Sequence, residues 1–149
     1  MTLAISTITA AIAGVSVSGV TILDKSAIPN EWDTRTPILY PEPIGFVSGF
    51  KVTRDSVGMA SVATKTVNYN LNYTFIHSLA GLDRSIGVLY GDMVSKAFSI
   101  IDAILALDTV SGAVTIDVKD INEFGVVQDP SGNSCNGCKI SFAIQEFVN

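Results

Sequence analysis

Few residues of this chain could do chemistry, and only one pair has the spacing of a known motif. Cys135 and Cys138 are separated by Asn-Gly, and a Cys-x-x-Cys spacing is typical of redox pairs and of half a zinc site. Structural zinc needs four ligands, and the sequence otherwise offers only His77 and carboxylates. Three interpretations stay open: two thiols in a turn, a disulfide or redox pair, and a metal shared between subunits. With no other cysteine in the chain, a reducing compartment is expected.

The single histidine and the carboxylates show no catalytic pattern. His77 ends the apolar face of a predicted strand, where a histidine with a structural partner is expected. Asp117 and Asp120 fall in a predicted strand and its turn, where we expect solvated side chains. The sequence contains neither a nucleophile elbow nor a glycine-rich phosphate loop. We therefore predict a protein that is not an enzyme and that binds no cofactor and no metal of its own.

The clearest structural element is a predicted strand over Thr64–His77. Its residues alternate between apolar and polar, as the two-residue period of a pleated strand requires. The apolar face comprises Val67, Tyr69, Leu71, Tyr73, Phe75 and His77. The polar face comprises Thr66, Asn68, Asn70, Asn72 and Thr74. We expect the apolar face to enter a core, and the polar face to be either solvent surface or the lining of a ring.

A long amphipathic helix is predicted over Ser85–Asp108. Its apolar residues recur at spacings of three and four: Ile86, Leu89, Tyr90, Met93, Ala97, Ile100, Ile101, Ile104 and Leu105. Asp92 and Lys96 are spaced to form an ion pair on another side of the helix, worth about 0.3 kcal/mol. We expect the apolar stripe to pack on a sheet, so Ile101→Asp should unfold the domain. A soluble, folded variant would contradict this core assignment.

The N-terminal stretch Thr2–Leu23 carries no charge, but it is interrupted by serine, threonine and glycine. The first lysine is Lys25, which leaves no basic segment before an apolar block. The stretch therefore fits a soluble fold better than a secretory signal or a membrane helix. We predict a short helix that stops at Gly14, followed by a strand towards Ile22.

The segment Asp24–Gly49 is rich in proline and aromatic residues. Proline favours extended backbone in the residue before it, so we predict an extended arm with one short strand at Pro37–Tyr40. Such a long connection is either packed on the domain surface or turned towards a partner.

The remaining elements are predicted strands. A run at Phe50–Arg54 is expected to pair with the central strand across the connection Ser56–Ala63. Three strands follow the long helix, at residues 114–118, 124–127 and 140–148, with a turn-rich loop at Asp129–Gly137. This order predicts a single α+β domain over residues 1–149, in which an antiparallel sheet packs against one long helix and a short N-terminal helix.

Composition and charge restrict the possible partners. Hydrophobic residues make up 48% of the chain and charged residues only 15%. A composition so apolar and so low in charge favours association with other subunits. The net charge of −5 provides no basic surface to neutralise nucleic-acid phosphates. We therefore expect no sequence-specific binding of nucleic acid.

The order of these elements resembles that of small neck and tail-completion proteins of long-tailed bacteriophages, particularly the tail-terminator family. The resemblance covers nearly the whole chain as a pattern. Its carriers are the N-terminal helix, the arm from Ile28 to Pro43 with Pro37-Ile-Leu-Tyr-Pro41, the strand Val67–His77, the helix Ile86–Leu107 and the strand Gly137–Phe147.

This resemblance implies a structural virion protein that forms a ring, commonly a hexamer, at the head-proximal end of the tail tube. In that family the ring stops tube growth and offers a surface to the head connector, without catalysis. The implied partners are other copies of the chain, the tail tube protein and a head-completion or connector protein. DNA would pass through the ring lumen, no membrane would be involved, and the ring would be assembled in the host cytoplasm and carried in the virion tail or neck.

We expect the aromatic residues of the arm to be exposed, and aromatic anchors often dominate interfaces, so we nominate Trp32, Tyr40 and Phe46 as interface residues. Two alternatives remain from other classes. Another neck connector or a tail-tube subunit would share the composition, and a tube subunit would form open stacks where a terminator forms closed rings. A small metal-binding or redox domain would instead use Cys135 and Cys138.

Overall fold

The computed structural model describes residues 2–24, 36–54, 65–79, 86–107, 110 and 114–148. Over these residues the chain forms two helices and one six-stranded, mostly antiparallel sheet, so the predicted α+β class is confirmed. The elements in chain order are α1 (Ile5–Ala13), β1 (Thr21–Ile22), β2 (Ile38–Pro41), β3 (Val47–Arg54), β4 (Lys65–Leu79), α2 (Ile86–Leu105), β5 (Val114–Gln128) and β6 (Ser134–Val148).

The sheet is built around the two long strands β4 and β6, which pair antiparallel along most of their length. On one side β6 pairs with β5. On the other side β4 pairs with β3 through its first half and with β2 through its second half. The two-residue β1 adds to β2 as the parallel pair of the sheet. The predicted pairing of the run at Phe50–Arg54 with the central strand is confirmed, and the connection 55–64 lies outside the described residues.

The alternation predicted for the central strand is confirmed, because its apolar face lies in the core. Val67, Leu71, Tyr73 and Phe75 are fully buried and belong to one cluster with residues of both helices. From α1 the cluster includes Ile8 and Ile12, and from α2 it includes Met93, Ala97, Ile100, Ile101 and Ile104. The first helix ends at Gly14, as expected, because this residue is its C-cap.

Two predicted strand assignments are corrected by the structure. The strand expected towards Ile22 is limited to the two residues of β1. The strands expected at 114–118 and 124–127 are one continuous strand, β5, interrupted by bulges between Val118 and Asp120 and between Asn122 and Gly125. The sequence between them loses its alternation because a bulge adds a residue and shifts the side chains by one position.

The described part of the predicted arm packs on its own subunit. Its short strand runs over Ile38–Pro41, and all four residues are buried between β1 and β4. The end of the arm belongs to β3, and residues 25–35 lie outside the described residues. Among the residues that the structure describes, no helix is long and apolar enough to cross a membrane.

Candidate functional site

The helices occupy one face of the sheet, and the described residues leave most of the other face without a helix. We call this second face the open face. Neighbouring strands bring their polar side chains onto it in register. They are Ser48, Lys51 and Thr53 from β3, Thr66, Asn68, Asn70, Asn72 and Thr74 from β4, Lys139, Ser141 and Gln145 from β6, and Thr115, Asp117, Asp120 and Asn122 from β5. A small apolar cluster including Ile38, Tyr40 and Ile76 lies at one end of this face.

Hydrogen bonds between strands order these polar side chains. Ser141 Oγ donates to Asn72 Oδ1 across 2.8 Å, and Gln145 Nε2 donates to Asn68 Oδ1 across 3.3 Å. Asn72 Nδ2 donates to Ser48 Oγ across 3.0 Å, which joins β3 to the network. The open face therefore carries an organised polar network, because Asn68, Asn72 and Gln145 find partners on neighbouring strands.

A cavity of about 290 Å³ opens on this face beside the second bulge of β5. Lys139 lines it, with Nζ 3.5 Å from Glu42 Oε1 and 3.8 Å from Glu123 Oε2. Glu42 also accepts a hydrogen bond from Thr74. Two carboxylates therefore surround the one ammonium group among the described lining residues. This balance does not favour an anionic ligand such as a phosphate.

The two long outer strands of the sheet carry opposite charge. β3 contains Lys51 and Arg54 and no carboxylate, a net charge of +2. β5 contains Asp117, Asp120 and Glu123 against Lys119, a net charge of −2. Within the described residues β3 pairs only with β4, and β5 pairs only with β6. Each of these strands therefore presents an unpaired edge of its own sign.

On the helix-bearing face, the single histidine links a strand to a helix. His77 Nε2 donates to Asp92 Oδ2 across 2.5 Å, and His77 Nδ1 lies 3.2 Å from Ser78 Oγ. Lys96 Nζ donates to both oxygens of Asp92 across 2.7 and 2.8 Å, which confirms the predicted pair on the helix. Hydrogen bonds from Lys96 and then from His77 hold the pKa of the Asp92 carboxyl below its usual value.

This network contains a serine, a histidine and an aspartate, but its geometry is that of a clamp between β4 and α2. Ser78 directly follows His77 in the strand, and its Oγ also accepts from Asn136 Nδ2 across 3.3 Å. Neither this serine nor His77 lines the cavity beside Lys139, or a second cavity of about 210 Å³ lined by Tyr40, Glu42 and Asp129. We assign the cluster a structural role, as expected for His77, because the bond from His77 to Asp92 joins β4 to α2 and Lys96 holds the same carboxylate.

The two cysteines lie within strand β6, which corrects their predicted position in a turn. The turn itself is confirmed only over Asp129–Asn133, where Asp129 Oδ1 accepts from the backbone N–H groups of Ser131 and Asn133. Cys135 belongs to the cluster on the open face, and Cys138 to the core under the helices.

Three residues of extended chain span about 10 Å, and a disulfide requires Cα atoms closer than about 7 Å. Cys135 and Cys138 are free and buried, and their opposite faces exclude a disulfide or a shared metal within one chain. Burial raises the pKa of Cys135 to about 11, with help from the charge of Asp129, and that of Cys138 to about 12. Neither thiol is primed as a nucleophile or ligand.

No pattern in the sequence singles out Glu146, yet the structure buries its charged side chain. Its side chain is 2% exposed on the helix-bearing face. Tyr69 Oη donates to Glu146 Oε2 across 2.5 Å, and Ala4 N–H donates to Oε1 across 2.8 Å. Since Ala4 is the N-cap of α1, this carboxylate lies at the positive end of that helix. The only sequence signal was a charge at an inward position of β6.

The exposure on which two interface residues were nominated is corrected by the structure. Tyr40 is 2% exposed because its side chain packs in the apolar cluster at the end of the open face, with Ile38 and Ile76. Phe46 is half-buried against the core, with its ring 5.5 Å from that of Tyr73 in an edge contact. Trp32 lies outside the described residues. The exposed large apolar side chains include Ile44, Phe50, Val52, Tyr90, Phe98, Leu105, Val126 and Phe147.

Comparison with known proteins gives no family for this chain. No protein-family model matches it, and no curated protein matches it either.

Proposed function

We propose that this chain is a structural virion protein, a tail terminator of a long-tailed bacteriophage. In this proposal it forms a ring at the head-proximal end of the tail tube, stops tube growth and joins the tail to the head connector. The observation that carries the proposal is the sheet, which within the described residues has an open polar face and two long outer strands of opposite charge, each with an unpaired edge.

Opposite edges of one sheet favour head-to-tail association of identical copies. The β3 edge of one copy attracts the β5 edge of the next, because the first carries +2 and the second −2. Strand addition at a sheet edge also supplies partners to the unpaired backbone groups. A contact between two different surfaces repeats from copy to copy, and it closes into a ring when the rotation between copies allows.

In such a ring the open face is suited to line the lumen. Its amide and hydroxyl side chains bond to each other across the strands. Its lysine at the cavity, Lys139, lies within 4 Å of two carboxylates. Lys51, the other lysine named on this face, lies on the β3 edge, where the proposed contact brings it to the acidic β5 edge of the next copy. A polar lining whose lysines are paired with carboxylates would let DNA slide past, because phosphate neutralisation is what holds DNA to proteins.

The helices then form the outer layer of the ring. We also propose the arrangement that the sequence predicts, an antiparallel sheet packed against one long helix and a short N-terminal helix; the core cluster that contains residues of α1, α2 and the sheet supports it. The proposed partners are further copies of the chain, the tail tube protein and the head connector. The role requires no catalytic step, no cofactor and no membrane, and its place is the virion neck, after assembly in the host cytoplasm.

The first test is native mass spectrometry of the purified chain, followed by negative-stain electron microscopy. A closed ring near six copies supports the proposal, whereas long tubes would identify a tail-tube subunit. Loss of the chain from the phage should lengthen the tails, and tails of normal length without it would refute the terminator role.

A charge swap then tests the edges. Lys51→Glu and Asp117→Lys should each weaken the ring, because each places like charges at the β3–β5 contact. The combined variant should restore it. The variant that combines Thr53→Glu with Asp117→Lys is the matched control: it introduces the same two charged side chains, but the glutamate does not stand at position 51. If Lys51→Glu and Asp117→Lys together assemble no better than each alone, these edges do not meet.

A further inference from the structure

Beside its buried stripe, helix α2 has a second apolar stripe that the described residues of its own subunit cover only in part. Each of these residues follows a residue of the buried stripe by one position, which turns it about 100° around the helix. We call this stripe the α2 flank: Tyr90, Val94, Phe98 and Leu105. Tyr90 is 47% exposed, Phe98 49% and Leu105 36%. Three large apolar side chains on one line exceed the scattered exposure that is ordinary for a surface.

The α2 flank lies on the side of the helix next to the β5 edge. The ring of Tyr90 is 6.2 Å from that of Phe124, which belongs to β5. The opposite side of the helix carries Asp92 and Lys96, and Asp92 contacts His77 of β4. The polar side of α2 is therefore turned towards β4, and the α2 flank is turned towards the outer edge of the sheet at β5.

A second apolar pair lies at the other edge of the same face. Phe50 and Val52 of β3 are 54% and 53% exposed. Val52 is paired with Val67, a core residue, and the ring of Phe50 is 5.3 Å from that of Tyr69. Both contacts place this β3 pair on the helix-bearing face.

We infer that the α2 flank is the surface that binds Phe50 and Val52 of a neighbouring copy of this chain. The inference rests on the proposed ring. The opposite charges of β3 and β5 align those two edges, and the same contact places the apolar pair of one copy over the exposed flank of the next. One interface then has a charged layer along the strands and an apolar layer under the helices, which is the arrangement of a buried centre with a polar rim.

The test is disulfide cross-linking of Phe50→Cys in one copy with Phe98→Cys in another. The two native thiols are buried, with pKa values raised to about 11 and about 12, so they compete little. A thiol oxidant such as diamide takes up the two protons and two electrons that the pair loses. Mixed single variants, one of them carrying a size tag, should give the mixed dimer. The doubly substituted chain should give a ladder that ends at the copy number of the ring.

Ser99→Cys is the matched control for the flank. Ser99 is exposed and adjacent to Phe98, but it lies on the polar side of α2, where its Oγ donates to Ser95 O. We expect at least a tenfold lower yield of cross-link with Phe50→Cys from this position. Equal yields from positions 98 and 99 would overturn the inference.

The outcomes separate this inference from the proposed function. A closed ring without the 50–98 cross-link, or a cross-link between two copies of Phe98→Cys alone, overturns the inference and leaves the ring in place. Open filaments with the 50–98 cross-link keep the contact and contradict a terminator. A chain that remains monomeric at high concentration and gives no cross-link contradicts both. Phe98→Ser should in addition raise the subunit dissociation constant by about tenfold to hundredfold, and Ser99→Ala should leave it unchanged.

Discussion

Two tyrosines on the same face of β4 are expected to respond in opposite directions to the same substitution. Tyr69 Oη donates to the buried carboxylate of Glu146 across 2.5 Å. Tyr73 Oη is buried and has no hydrogen-bond partner within the described part of the chain. Burial is the largest cause that raises the pKa of both hydroxyls, so both stay protonated at neutral pH.

Tyr69→Phe keeps the ring and removes only the donor. Glu146 then retains the N–H of Ala4 but loses its hydroxyl partner. A hydrogen bond to a charged acceptor contributes about 1.5–3 kcal/mol. We expect the free energy of unfolding to fall by about 2 kcal/mol, which for a chain of 149 residues lowers Tm by about 4–8 °C.

Tyr73→Phe removes a hydroxyl that folding has taken out of water without replacing its hydrogen bonds. Such a group costs about 1–3 kcal/mol, so we expect the free energy of unfolding to rise by about 1 kcal/mol. The edge contacts of this ring with Phe46 and Phe142, at 5.5 and 5.7 Å, do not involve the hydroxyl and should remain.

Urea unfolding monitored by circular dichroism measures both changes, and equal m-values would show that the folded and unfolded states stay comparable. A cycle with Glu146→Gln is the control. The loss from Tyr69→Phe should shrink in that background, because the acceptor has lost its charge. The reasoning is refuted if both tyrosine variants change stability in the same direction, or if Tyr69→Phe alters it by less than about 0.5 kcal/mol.

Three further predictions follow from the geometry. At Gly137 an added Cβ would lie 2.0 Å from the carbonyl oxygen of Phe75, so Gly137→Ala should destabilise the fold by about 3 kcal/mol or more in urea unfolding. At Gly91 of α2 it would meet nothing within 4 Å, so Gly91→Ala should stabilise by about 1 kcal/mol; equal effects at the two glycines would contradict this account. Iodoacetamide should label neither Cys135 nor Cys138 in the folded protein at pH 8 and both in urea, with Ser99→Cys as the reactive reference; rapid labelling in the native state would contradict their burial. Because the folded state lowers the pKa of Asp92, its contribution to stability is present above the unfolded value of about 3.9 and is lost as the pH falls through the folded pKa. Asp92→Asn should therefore lose less stability than the original chain between about pH 5 and pH 2, and parallel curves would argue against the clamp.

At Asn136-Gly137 the local sequence predicts a loop, whereas the structure has a strand. Asn-Gly is a strong turn signal, yet here it lies inside β6. Gly137 is opposite Ile76 on one side and Gly125 on the other, beside a register shift in each ladder. The close approach to Phe75 O leaves no room for a side chain. The glycine is required because β4 passes so close to it, and the residues around Gly137 in the sequence do not show which strand will lie there.

The candidate interface was likewise only partly accessible from sequence. The polar face of β4 and the charges of β3 and β5 are visible as residues, but their common face depends on the register of four strands. The composition of the arm predicts exposed aromatic side chains at Tyr40 and Phe46, but packing buries the first and half-buries the second. The spacing in α2 predicts one buried stripe that includes Tyr90 and Leu105, but both are exposed, because spacing alone does not show how wide a stripe the sheet can cover.

By itself the sequence determined the α+β class, the alternation of the central strand, the two helices and the pairing of β3 with β4, since burial imposes a period on neighbouring residues. Only the tertiary structure decided the bulges of β5, the opposite faces of the two cysteines, the buried contact of Tyr69 with Glu146 and the charge of each sheet edge. These features join residues far apart in the chain, such as Ala4 and Glu146. A local pattern fixes which side of an element is buried, whereas the partner that it meets there depends on the packing of the whole chain.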